Sequence, residues 1–343
     1  QNQLMTMKRP TIIAGLALML GAGVALQAQD VREGLVSYWP LDELNPEFTG
    51  FPDLVSGNDL QSINIWSTVP GQVGNAVEFD PTLETMLLHK TPAGEDTGLP
   101  VTMAPTWTVM LWVKATYPVE GRTDTRVFST SSSTANNPLV NIGTDNAADG
   151  HQNVELYIRR AGGTTVDHPT STAAVYDGEW HHVALVDVGG EWQLYVDGEL
   201  DSSGAYTSGT ESMDITSIGG IARQAEGEMP FVTVDPADPN PFYFTGAVDE
   251  VMVWERALSQ AEIQDVKDNG VQTPVPAFAP EITLHPVGNL GLLEAQTYTL
   301  TVGATGTRPL NVQWFKDDAE IAGATGMSLT LVDITPADSG IYK

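Results

Sequence analysis

Two kinds of side chain in this sequence could do chemistry at close spacing. His181 and His182 stand side by side in DGEWHHVALVDV (177–188), and carboxylates cluster as Glu78, Asp80 and Glu84 in EFDPTLE and as Glu199 and Asp201 in ELDSSG. Adjacent imidazoles suggest a metal pair or a general base. Paired carboxylates suggest cleavage of a glycosidic bond, for which retaining enzymes hold two carboxyls about 5–5.5 Å apart. The pattern around the histidines argues against the first idea. Trp180, His182, Ala184, Val186 and Val188 fall on one face of a strand and His181 on the other, so the two rings cannot chelate one ion. His182 is expected to be buried and hydrogen-bonded. ELDSSG lacks a third acid, and no Gly-x-Ser-x-Gly, His-Glu-x-x-His or phosphate loop occurs.

The elements that would position these residues are short and β-rich. GLVSYWPL, TWTVMLWVK, RVFSTS, NVELYIRR, WHHVALVDV, EWQLYVDG and AVDEVMVW are separated by Gly, Asp, Asn, Ser and Pro. Many short strands with turn signals predict an all-β sandwich or jellyroll. Gly189-Gly190 and Asp197-Gly198 are tight-turn pairs within a meander. One helix is expected at ALSQAEIQDVKDNG, with Ser259 and Glu262 as a capping box and Gly270 as its stop. Pro274, Pro276 and Pro280 stiffen an extended linker, and EMPFVTVDPADPNPF (228–242) reads as a loop insertion.

Composition bounds the partners. The 343 residues suggest roughly two domains, and 41% hydrophobic content with 8 Trp supplies real cores. Fifteen Lys and Arg against 44 Asp and Glu give a net charge of −29, which repels nucleic acid and anionic membranes. There is no cysteine, so neither disulfides nor Cys-ligated zinc contribute. Lys8 and Arg9 followed by TIIAGLALMLGAGVAL and QAQD describe a secretory signal peptide over residues 1–28, with QNQL read as upstream read-through. The mature chain is then expected to be secreted or at the cell surface, with no membrane insertion.

Taken in order, GLVSYWPLDE (34–43), PGQVGNAVEFD (70–80), WTVMLWVK (107–114), DGEWHHVALV (177–186), WQLYVDGE (192–199) and FTGAVDEVMVWERALSQAEI (244–263) resemble the laminin-G-like jellyroll family of the concanavalin A-like lectin/glucanase fold. The resemblance implies a jellyroll domain over residues 29–270. A linker at 271–280 leads to residues 281–343, where Trp314 and the Asp338–Tyr342 stretch resemble an immunoglobulin-type sandwich with its tyrosine corner. Val302 stands where the first bridging cysteine would lie, and with the chain stopping at Lys343 this second sandwich is expected to be truncated.

The jellyroll resemblance also implies a structural Ca²⁺ where the N-terminal strand and loop meet the final strand. The corresponding stretch here, LDELNPEFTGFPDLVSGND with GAVDEV, offers Asp42, Asp53, Asn58 and Asp249 as oxygen ligands. Glucanases of the fold carry Glu-x-Asp-x-(x)-Glu on one strand; EFDPTLE is a residue too long and broken by Pro81, so no catalytic residue is assigned. Sugar stacking would need loop aromatics, and Trp66, Tyr117 and Tyr243 are the candidates. The expected function is non-catalytic recognition of extracellular polysaccharide within a larger modular protein. The alternatives are a structural or adhesive protein that binds other surface proteins, and a divergent glycoside hydrolase.

Overall fold

A computed structural model describes residues 30–42, 50–64, 66–91, 99–101, 105–117, 124–133, 138–145, 152–160, 163–207, 211, 213–222, 242–271, 281–286, 294–305, 312–326 and 328–343. The expected signal peptide, the linker from 272 and most of the 228–242 insertion lie outside these residues. No described helix is long and apolar enough to cross a membrane.

Among the described residues from 30 to 271 the structure is all-β with one α-helix. It opens with β1 (Leu35–Trp39), β2 (Gly50–Phe51), β3 (Leu60–Ile63), β4 (Ser67–Pro70), β5 (Asn75–Phe79) and β6 (Met86–Lys90). Next come β7 (Thr106–Thr116), β8 (Arg126–Ser131), β9 (Leu139–Thr144), β10 (Val154–Arg160) and β11 (Gly163–Thr170). The meander is β12 (Asp177–Val188), β13 (Glu191–Val196) and β14 (Glu199–Ala205), followed by β15 (Ile215–Ile218), β16 (Gly246–Trp254) and α1 (Gln260–Asn269).

These strands form two eight-stranded sheets. The first runs β14-β13-β12-β7-β16-β5-β4, with β1 also paired to β16; the second runs β11-β10-β9-β8-β15-β6-β3-β2. The alternation seen in the sequence is what makes the sandwich. Trp107, Val109, Leu111 and Val113 of β7, Val183 and Leu185 of β12, and Phe128, Val140 and Ile142 of the second sheet turn inward to a single core. Trp39, Trp107, Trp192 and Trp254 are buried. Trp180 is only half-buried, because its alternation places it on the outward side opposite exposed Lys114 of β7.

The outward face of the first sheet carries a second apolar layer of Met110, Ala184, Val186, Met252 and Trp254, which α1 covers with Ile263 and Val266. The helix starts as the sequence implies: Glu262 Oε2 accepts the Ser259 N–H at 2.8 Å, and the Ser259 hydroxyl caps Glu262 N. Gly270, at φ 65°, ends it by donating its N–H to Val266 at 2.7 Å.

Residues 281–343 form β17 (Glu281–Leu284), β18 (Tyr298–Thr301), β19 (Gly303–Thr305), β20 (Phe315–Lys316), β21 (Ala319–Glu320) and β22 (Ser328–Leu331). They pair as β17–β19, β18–β22 and β20–β21. Trp314 is buried there at 2% exposure, its indole N–H donating to the Gly326 carbonyl at 2.8 Å. The Tyr342 hydroxyl donates to the Asp338 carbonyl at 2.8 Å.

One glycine in the core cannot be replaced without strain. Gly219 follows β15 at φ 81°, and any Cβ there would lie inside the Phe79 ring. Gly219→Ala should therefore cost about 2–4 kcal/mol, combining a disfavoured backbone with overpacking. Urea denaturation followed by tryptophan fluorescence would measure it, and an unchanged midpoint would contradict this packing.

Candidate functional site

The acids of GAVDEV lie where β16 breaks its register. Val248 faces Val113 and Asp249 faces Trp112, but pairing resumes only at Met252 opposite Met110, so β16 holds one residue more than β7. Glu250 absorbs the extra residue with a left-handed backbone at φ 52°. Bulges of this kind re-aim side chains, and here both carboxylates end up buried, Asp249 at 0% exposure and Glu250 at 3%. Asp249 Oδ2 accepts the backbone N–H of Gln72 at 2.8 Å and of Val73 at 3.0 Å. Its Oδ1 is buried with no hydrogen-bond partner among the described residues. Glu250 accepts the Tyr38 hydroxyl at 3.0 and 2.8 Å on its two oxygens.

Asp42 reaches the same turn from the end of β1. Its Oδ1 accepts the Asn75 N–H at 2.7 Å, in space that a side chain on Gly74 (φ 61°) would occupy. A cavity of about 430 Å³ opens there, lined by Pro40, Leu41, Asp42, Pro52, Gly74 and Asn75. Burial, reinforced by the Asp42 charge, pushes Asp249 up to about 7. Burial likewise pushes Glu250 up to about 8, with the charges of Asp249 and Asp42 adding to it against the Tyr38 hydrogen bond. Burial and the Glu250 charge raise Tyr38 as well, which keeps its hydroxyl a donor.

The four sequence-derived metal candidates are thus divided. Asp42 and Asp249 approach the 71–75 turn, whereas Asp53 and Asn58 build a separate network. Asp53 Oδ1 accepts from Tyr38 N and Val55 N, both at 3.0 Å, and Oδ2 from Ser56 Oγ at 2.7 Å and Asn58 N at 3.2 Å. The Asn58 amide donates to Ser37 Oγ and Ser56 Oγ. Both Asp53 oxygens are occupied in tying this loop to β1, and its charge acts on His89. Glu250 and Tyr38 were not singled out from sequence, although the signal is present. Inward residues Val248, Val251 and Val253 skip three positions and then two, which in a strand marks a bulge. Among the described residues no three acidic or imidazole side chains close on one point. A cation near Asp249 Oδ1 would therefore take carbonyl or water oxygens alongside the carboxylates.

The histidine pair does not form a site. His182 is 2% exposed and meets Trp112 edge-on at 5.1 Å. Burial lowers it to about 4, so the ring is neutral. Its Nδ1 has no hydrogen-bond partner among the described residues, so the expected hydrogen bond is not found at that nitrogen, and the ring is held by packing against Trp112. His181 is also held in place: Nδ1 lies 2.8 Å from Asp197 Oδ2 and Nε2 3.3 Å from Asp177 Oδ1. Burial opposes its charge, but the hydrogen bonds and charges of Asp197 and Asp177 raise it above its ordinary value.

Four of the five carboxylates in the two acidic motifs are spent on local structure. Exposed Glu78 accepts the Ser67 hydroxyl at 3.0 Å. Asp80 caps the following turn through Thr82 N and Oγ1 at 2.8 and 2.7 Å, and Glu84 sits left-handed in that turn at φ 53°. Glu199 accepts from Gln260 and Gln264 of α1 at 2.8 and 2.9 Å, and Asp201 from Thr172 and Ala173. The candidate aromatics also pack inward. Tyr117 and Tyr243 are each 8% exposed, the latter among Ile63, Met86, Leu88 and Ile215. Trp66 meets Phe51 edge-on at 5.3 Å and packs on the core.

Residues 94–264 match the family model of the concanavalin A-like lectin/glucanases superfamily, Laminin_G_3. The larger domain is a concanavalin A-like jellyroll. Over 99 residues, 28% of its length, the chain is 29% identical to the rat protein "Sushi, von Willebrand factor type A, EGF and pentraxin domain-containing protein 1". The mouse protein of that name matches at 29% over 97 residues. The chain spans only 3% of the length of either relative. Among solved structures the jellyroll is similar to domain 4 of AbnA, a GH43 extracellular arabinanase from Geobacillus stearothermophilus. That match has a TM-score of 0.46 and 17% identity, covering 68% of this chain and 98% of that one. The binding domain of Paraclostridial Mosquitocidal Protein 1 aligns with a TM-score of 0.49 and 12% identity, covering 69% and 52%.

The raised carboxylates fix a pH dependence. Between about pH 4 and 8 the folded protein holds protons on Asp249 and Glu250 that the unfolded chain releases. In chelator, stability should therefore fall as pH rises through that window. Asp249→Asn removes one of the two groups, so its melting temperature should decline less steeply from pH 5 to 8 than that of the parent. Scanning fluorimetry would check this, and equal slopes would refute it.

Proposed function

We propose that the chain is a secreted, non-catalytic recognition module whose jellyroll binds extracellular carbohydrate, with a structural calcium ion at the β16 bulge. The non-catalytic reading rests on the acidic motifs. Of the five carboxylates in those motifs, Glu78, Asp80, Glu199 and Asp201 are engaged in a turn, a strand contact or the helix α1. The carbohydrate reading draws on the lectin and glucanase membership of the matched family. Calcium is favoured by the buried, unpartnered Oδ1 of Asp249 beside Glu250 and Asp42. A hard divalent cation would neutralise the charges that otherwise hold protons there.

Residues 281–343 fit an immunoglobulin-like module, supported by buried Trp314 and by the Tyr342 hydroxyl bonded back to Asp338. That arrangement, with the mosaic character of the mammalian relatives, also favours a second reading in which the module binds surface proteins. A carrier of this kind would be exported by the segment at residues 1–28.

Probing the full chain on a polysaccharide and glycan array, in calcium and again in chelator, separates these readings. The expected result is specific glycan binding that weakens on chelation, together with a melting temperature raised by calcium at pH 7–8. Asp249→Asn should lose the calcium-dependent rise. A folded chain that binds no glycan in either condition would overturn the carbohydrate reading in favour of protein recognition, and a melting temperature indifferent to calcium would overturn the cation.

A further inference from the structure

The outward face of the second sheet carries a histidine held in an unusual backbone. Glu155 of β10 pairs with Thr170 of β11, yet Tyr157 pairs with Asp167, so β11 holds one extra residue at His168-Pro169. His168 takes a left-handed conformation at φ 56°, uncommon outside glycine but one that histidine, like asparagine, accepts more readily than most residues. Its ring is then fixed from two sides. It stacks on Tyr157 with centroids 4.4 Å apart and planes 18° from parallel. Its Nδ1 lies 2.7 Å from Glu155 Oε1. The two atoms are close without forming a hydrogen bond of regular geometry, so Glu155 limits where the ring can sit rather than bonding it.

Glu155 is itself fixed. Its side chain is 1% exposed and faces the Arg126 guanidinium at 3.8 Å, while Arg126 also pairs with Asp124 and packs over Phe242. A buried ion pair thus anchors a histidine whose side chain is 35% exposed and whose Nε2 lies 3.7 Å from Asp167, an acid 78% exposed. Arg159 adds a guanidinium 5.9 Å from the Tyr157 ring. The β11 bulge, the stack on Tyr157 and the nearby Glu155 together fix how the imidazole sits on this face.

We infer that His168, Tyr157, Asp167 and Arg159 form a saccharide-binding subsite that takes a neutral sugar unit. This deepens the carbohydrate reading above and rests on it. The part-exposed His168 ring, backed by Tyr157, receives the apolar face of the sugar, while Nε2, the Asp167 carboxylate and the Arg159 guanidinium meet its hydroxyls. The acids at this face and the net charge of −29 disfavour uronate polymers.

The test uses the full chain in calcium with a soluble β-glucan, xylan, arabinan, mannan and, as the acidic probe, polygalacturonate. Titration calorimetry should find a neutral probe whose affinity falls at least tenfold in both His168→Asn and Tyr157→Ala. Asn tolerates the left-handed backbone, so His168→Asn should melt as the parent does. Independently, NMR of the parent should show the His168 ring resonances shifting on saturation with that probe. Unchanged affinity in both variants, or an unmoved His168 resonance at saturation, would overturn the subsite and leave the carbohydrate reading standing. Binding of polygalacturonate alone would overturn the neutral class. Failure of every probe to bind the parent would overturn the carbohydrate reading and this inference with it.

Discussion

Strand β16 joins more partners than any other strand of its sheet, and it carries two adjacent carboxylates. A regular strand would send one of them into the apolar core, where an unpaired charge is costly. The bulge at Asp249–Glu250 removes that conflict by letting both leave the inward row of Val248, Val251 and Val253. Each acid then ties down a different neighbour, Asp249 the 71–75 turn and Glu250 the Tyr38 hydroxyl of β1. The first strand, the turn before β5 and the last strand are thereby joined by polar contacts at one place. In a chain without cysteine these contacts take over a part that disulfides play in many exported domains.

The two remaining outward regions divide the work. Over the first sheet, α1 covers Met110, Met252 and Trp254, so that part of the face is a second core. Over the second sheet the outward residues divide: Ile63, Met86, Leu88 and Ile215 pack with Tyr243, whereas Arg126, Asn141, Glu155 and Tyr157 give the β8–β10 part a polar character and buried ion pairs. The β8–β10 part of the second sheet is thus the region of the two outward faces not committed to an apolar layer.

Much of this was legible in the sequence because period-two alternation follows directly from strand geometry. The meander over residues 177–205, the inward tryptophans of β7 and β13, and the capping box at Ser259 all follow local rules. Properties that depend on distant neighbours were not legible. Tyr117 and Tyr243 sit in turn-rich sequence, yet Tyr243 packs among Ile63, Met86, Leu88 and Ile215, drawn from three separate strands. Asp53 and Asn58 have the right chemistry for a cation, and only the contact to Tyr38 N reveals that Asp53 is occupied. The bulges are an intermediate case. The β16 bulge is written in the spacing of its valines, but the one at His168 has no comparable apolar pattern because β11 is polar along most of its length.

The bulge in β11 has a consequence for how copies of this module tolerate one another. β11 is the edge of the second sheet, and an unbroken edge offers a row of backbone donors and acceptors to any passing strand. Pro169 removes one donor, and the extra residue throws the ladder out of step on either side of it. A second chain approaching that edge finds no continuous register to extend. Where modules are strung together at high local concentration, this interruption guards against sheets zippering edge to edge into aggregates.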